Sequence, residues 1–179
     1  MPKILIVDDN ETEIRRPLVR QLGRVFGPEE ILEAANGHDA LSMLYAQEGE
    51  IGVIILDIMM PVMDGIAACR AIRGNPDHEG VYIAMLTGRD GGLPEGLEVG
   101  ADVYLRKPCD ADELIAVVKK GFLEFEKHRQ HMIEQADLAN RLQQSELEKR
   151  DLQQQNNYVE MPFLSDEPHN WLDVLDQSD

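Results

Sequence analysis

Between Pro2 and Gly121 the apolar residues fall into short continuous runs, separated by stretches in which they recur every three or four positions. Ile4-Leu5-Ile6-Val7, Ile31-Leu32-Glu33-Ala34, Val53-Ile54-Ile55-Leu56, Tyr82 to Leu86 and Val103 to Leu105 read as strands. Asn10 to Phe26, His38 to Ala46 and Ile66 to Arg73 read as the helices between them. Pro17 falls inside the first of these. It removes the bond to the Glu13 carbonyl and is expected to kink the helix, at a cost of about 3 kcal/mol if nothing accommodates it. A further helix is expected between Thr87 and Gly100. Gly91, Gly92, Pro94 and Gly96 make that stretch a poor helix former, so a short, irregular or mobile element is predicted there. Asp110 opens the last helix as its N-cap, with Glu113 three residues on in a capping-box arrangement. Strands alternating with helices imply βαβ units with right-handed crossovers. Near-continuous Val/Ile/Leu runs fit strands covered on both faces. The fold class is therefore α/β, a five-stranded parallel doubly wound sheet with a long C-terminal helix.

From Asp110 the chain reads as helical without a break to about Gln155. Val118, Phe122, Phe125, Met132, Ala136 and Ala139 follow a 4-3 spacing, with Arg129 filling one slot. Leu138, Leu142, Ser145 and Leu152 follow a second frame. A heptad seam with a register break predicts a short coiled coil and a homodimer through it. A solvated single helix is the competing reading, because Gln, Glu and Lys dominate after Gln143. Positions 156–179 hold six acids and no Lys or Arg, with Pro162 and Pro168. They read as disordered, with Trp171 to Leu175 as a potential docking helix. The expected domains are 1–121, a helical extension over 122–155 and an acidic tail over 156–179.

The formal net charge of −17 narrows the partners. Nucleic-acid binders that track the backbone cluster their Lys and Arg, and no such cluster exists, so direct nucleic-acid binding is not expected. The same charge argues against docking on anionic membranes. No apolar run approaches the ~20 residues that span a bilayer, and the N-terminus lacks the shape of a signal peptide. With Cys69 and Cys109 showing no metal spacing, these features point to a reduced, cytoplasmic protein. Cys69 falls where a helix buries an apolar residue, so it reads as packing. Cys109 has no assignment.

Ligands of open α/β sheets bind beyond the carboxyl ends of the strands. There the sequence sets Asp8-Asp9 after the first strand, Asp57 after the third, Thr87 at the fourth and Lys107-Pro108 after the fifth. Three carboxylates that converge need a cation, and all-oxygen ligands suit Mg²⁺ or Mn²⁺. An in-line phosphoryl transfer needs its equatorial oxygens neutralised, work that a metal, Lys107 and Thr87 could share. Asp57 then becomes a carboxylate nucleophile that forms an acyl phosphate. Taken singly, each residue has a bland explanation: a helix cap, a strand Thr, a solvated Lys. Their joint placement carries the reading.

Ile4 to Asn10, Leu56 to Gly65, Met85 to Gly88 and Gly100 to Pro108 together resemble the receiver domains of two-component response regulators, over roughly residues 2–121. The resemblance implies a flavodoxin-like sheet and a domain that takes a phosphoryl group from a sensor histidine kinase or phosphotransfer protein. It implies Asp57 as phosphoacceptor, Asp9 and Asp57 as direct Mg²⁺ ligands, Asp8 as a ligand through water and the Met59 backbone carbonyl as the remaining one. Lys107 matches the phosphate-pairing lysine, and Lys107-Pro108 the cis peptide. Thr87 and Tyr104 match the switch pair, and Asp64-Gly65 the turn that opens the third helix. Met59 and Arg89 match positions that tune the acyl phosphate's lifetime.

The chain departs from the pattern in an interval from Thr87 to Lys107 about two residues shorter than usual. Self-association or partner docking through the long helix is the expected output, with no enzymatic activity beyond acceptance and loss of the chain's own phosphoryl group. The register-shifted coil also resembles the connectors that lead into catalytic output domains, which makes a fragment of a longer protein the slightly favoured expectation. Two other classes compete: a Mg²⁺-dependent aspartyl-phosphate hydrolase, disfavoured because Met59 stands where a second Asp is wanted, and an unphosphorylated scaffold.

Overall fold

The computed structural model of the chain describes residues 1–47, 49–88 and 99–159. Five parallel strands, β1 (Lys3–Val7), β2 (Ile31–Ala34), β3 (Ile51–Asp57), β4 (Tyr82–Thr87) and β5 (Val103–Arg106), form one sheet in the order β2-β1-β3-β4-β5. Helices α1 (Arg16–Phe26), α2 (Gly37–Ala46), α3 (Gly65–Arg73) and α4 (Ala111–Val159) complete the described elements, with short 3₁₀ turns before β2 and β4 and a π-helical turn before α1. This is the doubly wound fold that the strand and helix pattern predicts. The expected irregular element over 88–99 falls almost wholly on residues outside the described ones. So does the acidic tail from residue 160 onward.

The period-2 alternation of each strand sorts its side chains between two cores. Leu5, Val7, Ile54, Leu56, Ile83 and Met85 face Leu44 of α2 and Cys69 and Ile72 of α3. Ile4, Ile6, Val53, Ile55 and Leu86 face Leu18 and Leu22 of α1 and Leu114 and Val118 of α4. Nearly all of these are fully buried, and each such side chain stabilises the fold by roughly 1.5–3 kcal/mol. Cys69 belongs to the packing, as its position implies, and burial raises its thiol pKa.

Side-chain caps fix where the helices begin. Asn36 and Asp64 accept N–H bonds from Asp39 and Ala67 at 2.9 and 2.7 Å. Asp110 accepts from Asp112 at 2.8 Å and Glu113 at 3.4 Å, each satisfying an amide that the helix leaves unpaired.

Around the expected disturbance at Pro17, the first helix is not a single regular α-helix. Residues Glu11–Arg15 form a π-helical turn, and α1 starts at Arg16 with Pro17 in its first turn. Arg15 donates to the carbonyl of Asn10 at 3.0 Å, and Arg16 caps back onto Glu11, both spanning five residues. The fixed φ of proline fits the first turn of a helix.

The α4 root is bound to the sheet. A Cβ at Gly121 would stand 2.7 Å from Val53 Cγ2 and 2.8 Å from Tyr82 Cδ1, so only glycine lets the helix approach that closely. Phe122 packs edge-on against Phe26 with ring centroids 5.6 Å apart, and Phe125 is buried. Val118, Phe122 and Phe125, read from the sequence as the start of a coiled-coil seam, are therefore core residues of their own chain. Contacts divide the chain into one compact unit over Met1–Ile133 and a second over Glu134–Asp179. Within the helical part of the second unit, Leu138, Leu142, Leu147 and Leu152 are exposed. Among the described residues, no helix is long and apolar enough to cross a membrane.

Candidate phosphoacceptor site

The strand order reverses between β1 and β3, and the crevice at their carboxyl ends is where an open α/β sheet binds ligands. Asp8 follows β1 and is fully buried, and Asp57 ends β3 with its side chain mostly buried. Asp9 is exposed at the mouth. These three carboxylates each offer an oxygen, all within 4.8 Å of one another. Hard oxygen donors at that spacing fit a Mg²⁺-type cation.

The Lys107 ammonium sits among them, 2.6 Å from Asp8 Oδ2 and 2.8 Å from Asp57 Oδ1. It is carried there by β5, whose last bond runs from the Lys107 N–H to the Thr87 carbonyl at 2.7 Å, and the Lys107–Pro108 peptide is cis. Burial lowers the Lys107 pKa, but hydrogen bonds and charge from Asp57 and Asp8 outweigh it, and the net shift is upward. For Asp57, burial raises the pKa first. Lys107 opposes this, Asp8 adds to it, and the Met59 backbone N–H, bonded to the carboxylate, opposes it again. The net shift is upward although the group is ion-paired. The two upward shifts are compatible: a cation held by two carboxylates stays charged, while a buried carboxyl beside a second one takes a proton more readily.

The other sequence-singled residues surround this centre. The Thr87 hydroxyl donates to the Leu105 carbonyl at 3.3 Å. Tyr104 is half-buried and packs against the core on the α2/α3 face. The Met59 side chain is exposed, leaving only its backbone in the site. Arg89 lies outside the described residues. Gly65 is demanded by the geometry, because a Cβ there would run into the Asp57 carbonyl. In the loop before it, Val62 takes a φ of 69° and is 87% exposed, an unfavourable backbone for a β-branched residue.

Two residues that bind the site were not singled out by the sequence. Asn10 donates its N–H to Asp8 Oδ1 at 2.8 Å and accepts from the Glu13 N–H at 3.1 Å. Arg15 donates to the Asp8 carbonyl at 2.6 Å. The Asn-x-x-Glu spacing announces a cap, but nothing in the sequence announces the Arg15 contact, which depends on the π turn.

Known proteins resemble this chain in sequence and fold. The family described as response regulator receiver domain matches residues 4–119. Protein PilG of Pseudomonas aeruginosa is 34% identical over 119 residues, covering 65% of this chain and 84% of PilG. The transcriptional regulatory protein SrrA of Staphylococcus aureus is 42% identical over 119 residues, again 65% of this chain but 46% of SrrA, so the chain spans under half of that relative's length. Among solved structures, chemotaxis protein CheY4 of Vibrio cholerae has a TM-score of 0.58 at 31% identity, covering 67% of this chain and 98% of that one. A CheY-like receiver domain protein from Methanospirillum hungatei gives 0.61 at 28% identity, covering 72% and 98%.

Proposed function

This chain belongs to the response regulator receiver family, and from that premise we propose that Asp57 accepts a phosphoryl group from a phosphohistidine on a sensor histidine kinase or phosphotransfer protein. The observation that carries the reading is the Lys107 ammonium bridging Asp8 and Asp57 beside Asp9, at the carboxyl edge of the sheet. An Asp57 oxygen attacks phosphorus in line, the P–N bond breaks, and its electron pair leaves with the donor imidazole. Lys107, already within hydrogen-bond reach of the Asp57 carboxylate, pairs with one equatorial oxygen of the incoming group. The Thr87 hydroxyl gives up its long bond to Leu105 and donates to another. Asp8, Asp9, Asp57 and the main-chain carbonyl of Met59 would hold Mg²⁺, or Mn²⁺, which supplies the positive charge that lets carboxylate and phosphoryl group meet.

Thr87 and Tyr104 form the switch. Release of the Leu105 carbonyl by Thr87 loosens β5 beside Tyr104, the strand's half-buried aromatic, and β5 leads directly into α4. The receiver, 1–121, then alters self-association or partner docking through the helical extension, 122–155, with 156–179 as an acidic tail. Exposed Leu138, Leu142 and Leu152 support a homodimer through that helix.

Incubation of the full chain with Mg²⁺ and acetyl phosphate is expected to give one hydroxylamine-labile phosphate, lost in Asp57→Asn. Labelling that survives the substitution, or turnover of unrelated phosphomonoesters, would overturn the reading. Sedimentation of the full chain with beryllofluoride is expected to shift it towards dimer. An unchanged monomer refutes self-association through the helix without touching the acceptor assignment.

A further inference from the structure

The cation site depends on where the Asp8–Asp9 peptide lies. A peptide is planar, so anchoring the Asp8 carbonyl oxygen also fixes where the Asp9 Cα stands. Asp9 needs such help: it is exposed at the mouth, whereas the Asp8 carboxylate is already tied by Asn10 and Lys107. The group on that oxygen is the Arg15 guanidinium, 2.6 Å away through Nη1.

Arg15 is itself held firmly. Its Nε donates to Glu33 Oε2 of β2 at 3.0 Å, its Nη2 stands 3.9 Å from Glu11, and its side chain is only 12% exposed. One guanidinium therefore joins the end of β1, the neighbouring strand and the π turn. The π turn delivers Arg15 to this place, and Pro17 follows two residues later in the first turn of α1. Two acceptors at fixed directions suit the planar fork of arginine, whereas a lysine ammonium is a point donor on a flexible stem.

We propose that Arg15 is a positioning residue for the cation site, orienting the Asp8–Asp9 peptide so that the Asp9 carboxylate converges with Asp57. The inference rests on the metal-assisted acceptor reading above. Arg15 touches neither the phosphoryl group nor the cation; it acts through the main chain of Asp8.

Mn²⁺ binding to the full chain, followed by electron paramagnetic resonance without any phosphodonor, tests it. Loss of an outer-shell partner typically weakens metal binding about 10–100-fold. Arg15→Gln is expected to raise the Mn²⁺ Kd by about tenfold. Arg15→Lys, which keeps the charge and can still reach one acceptor, is expected to recover part of the loss. Glu33→Gln removes the exposed anchor of the guanidinium and is expected to give a smaller increase in Kd, which keeps the test open if Arg15→Gln does not fold. Wild-type affinity in Arg15→Gln, or in Glu33→Gln if the former is unfolded, overturns the proposal whatever happens to Tm. A wild-type chain that binds no Mn²⁺ overturns the acceptor reading as well, and that outcome is distinct from variants that match a binding wild type.

Discussion

Replacing Lys107 by Met removes the one ammonium that separates Asp8 from Asp57 while keeping most of the apolar stem. The site carboxylates offer oxygens within 4.8 Å of one another. At an effective dielectric of about 20, two charges at that spacing repel by about 3.5 kcal/mol. Breaking a buried pair by removing one partner typically costs about 3–5 kcal/mol. Because the Lys107 side chain is 19% exposed and water reaches the mouth, the lower end applies, about 3 kcal/mol in the absence of divalent metal. The assay is urea denaturation of the full chain in EDTA and again in saturating Mg²⁺, at pH 7.5 and pH 5.5. Mg²⁺ replaces the missing charge, so most of the loss is expected to vanish with metal, and the variant is expected to bind Mg²⁺ more tightly than wild type, whose own ammonium competes.

Acid is expected to help for a related reason. Burial and Asp8 already raise the Asp57 pKa above 3.8, and Lys107 opposes that rise. Without the lysine, the folded pKa climbs further. A carboxyl whose folded pKa exceeds its unfolded value binds protons more readily when folded, so stability falls as pH rises from 3.8 through the folded pKa. Acid therefore returns part of what Lys107→Met loses as the pH falls towards the folded pKa. An equal loss in EDTA and Mg²⁺, at both pH values, would show that Lys107 acts through packing and not through charge, and the electrostatic account of the site would fail.

In wild type, Lys107 has a pKa raised above 10.5, so its contribution is complete below pH 10.5 and lost as pH climbs through the folded value; alkaline unfolding that is steeper in wild type than in Lys107→Met checks this. Val62→Gly relieves a left-handed backbone costing ~1–2 kcal/mol against a glycine entropy cost of ~0.5–1 kcal/mol; a gain of about 0.5–1 kcal/mol is expected by urea titration, and a loss would mean the valine side chain makes compensating contacts. Gly121→Ala forces a Cβ against Val53 and Tyr82, and a loss of about 1–3 kcal/mol from overpacking is expected despite alanine's better helix propensity. Arg73→Met removes donors to Gly100, Val81 and Asp102 at 2.7, 2.8 and 2.6 Å; a loss of about 2–3 kcal/mol is expected, with faster amide exchange in β4.

The sheet was legible because each strand is built on a short, mostly apolar run, fully buried in β3 and β4 and only partly in the edge strands β2 and β5, and the five runs lie within a residue or two of the observed strands. The largest boundary shift is at β3, which begins at Ile51 rather than Val53. Gly52 breaks the apolar run in sequence while its backbone still pairs in the ladder. Most of the candidate site was legible for a topological reason: parallel strands send all their carboxyl ends to one edge, so residues following separate runs must meet. What escaped the sequence depends on rotation about a helix axis. The π turn changes which way Arg15 points, and a proline inside a helical pattern announces a disturbance without its form. The start of α4 escaped for a different reason. A 4-3 apolar spacing fits a partner helix or a sheet equally well, and Gly121, whose missing side chain lets the helix sit on Val53 and Tyr82, is what decides between them.

The bond between Lys107 and Asp8 joins residues 99 positions apart. One partner follows the sheet's first strand in chain order and the other follows its last. A nascent or partly folded chain that lacks β5 therefore has three carboxylates and no ammonium between them. Closing so long a loop comes at an entropic cost that local contacts do not carry. On the proposed acceptor reading, competence to accept a phosphoryl group is tied to completion of the sheet, and a signal is not written onto an unfinished molecule.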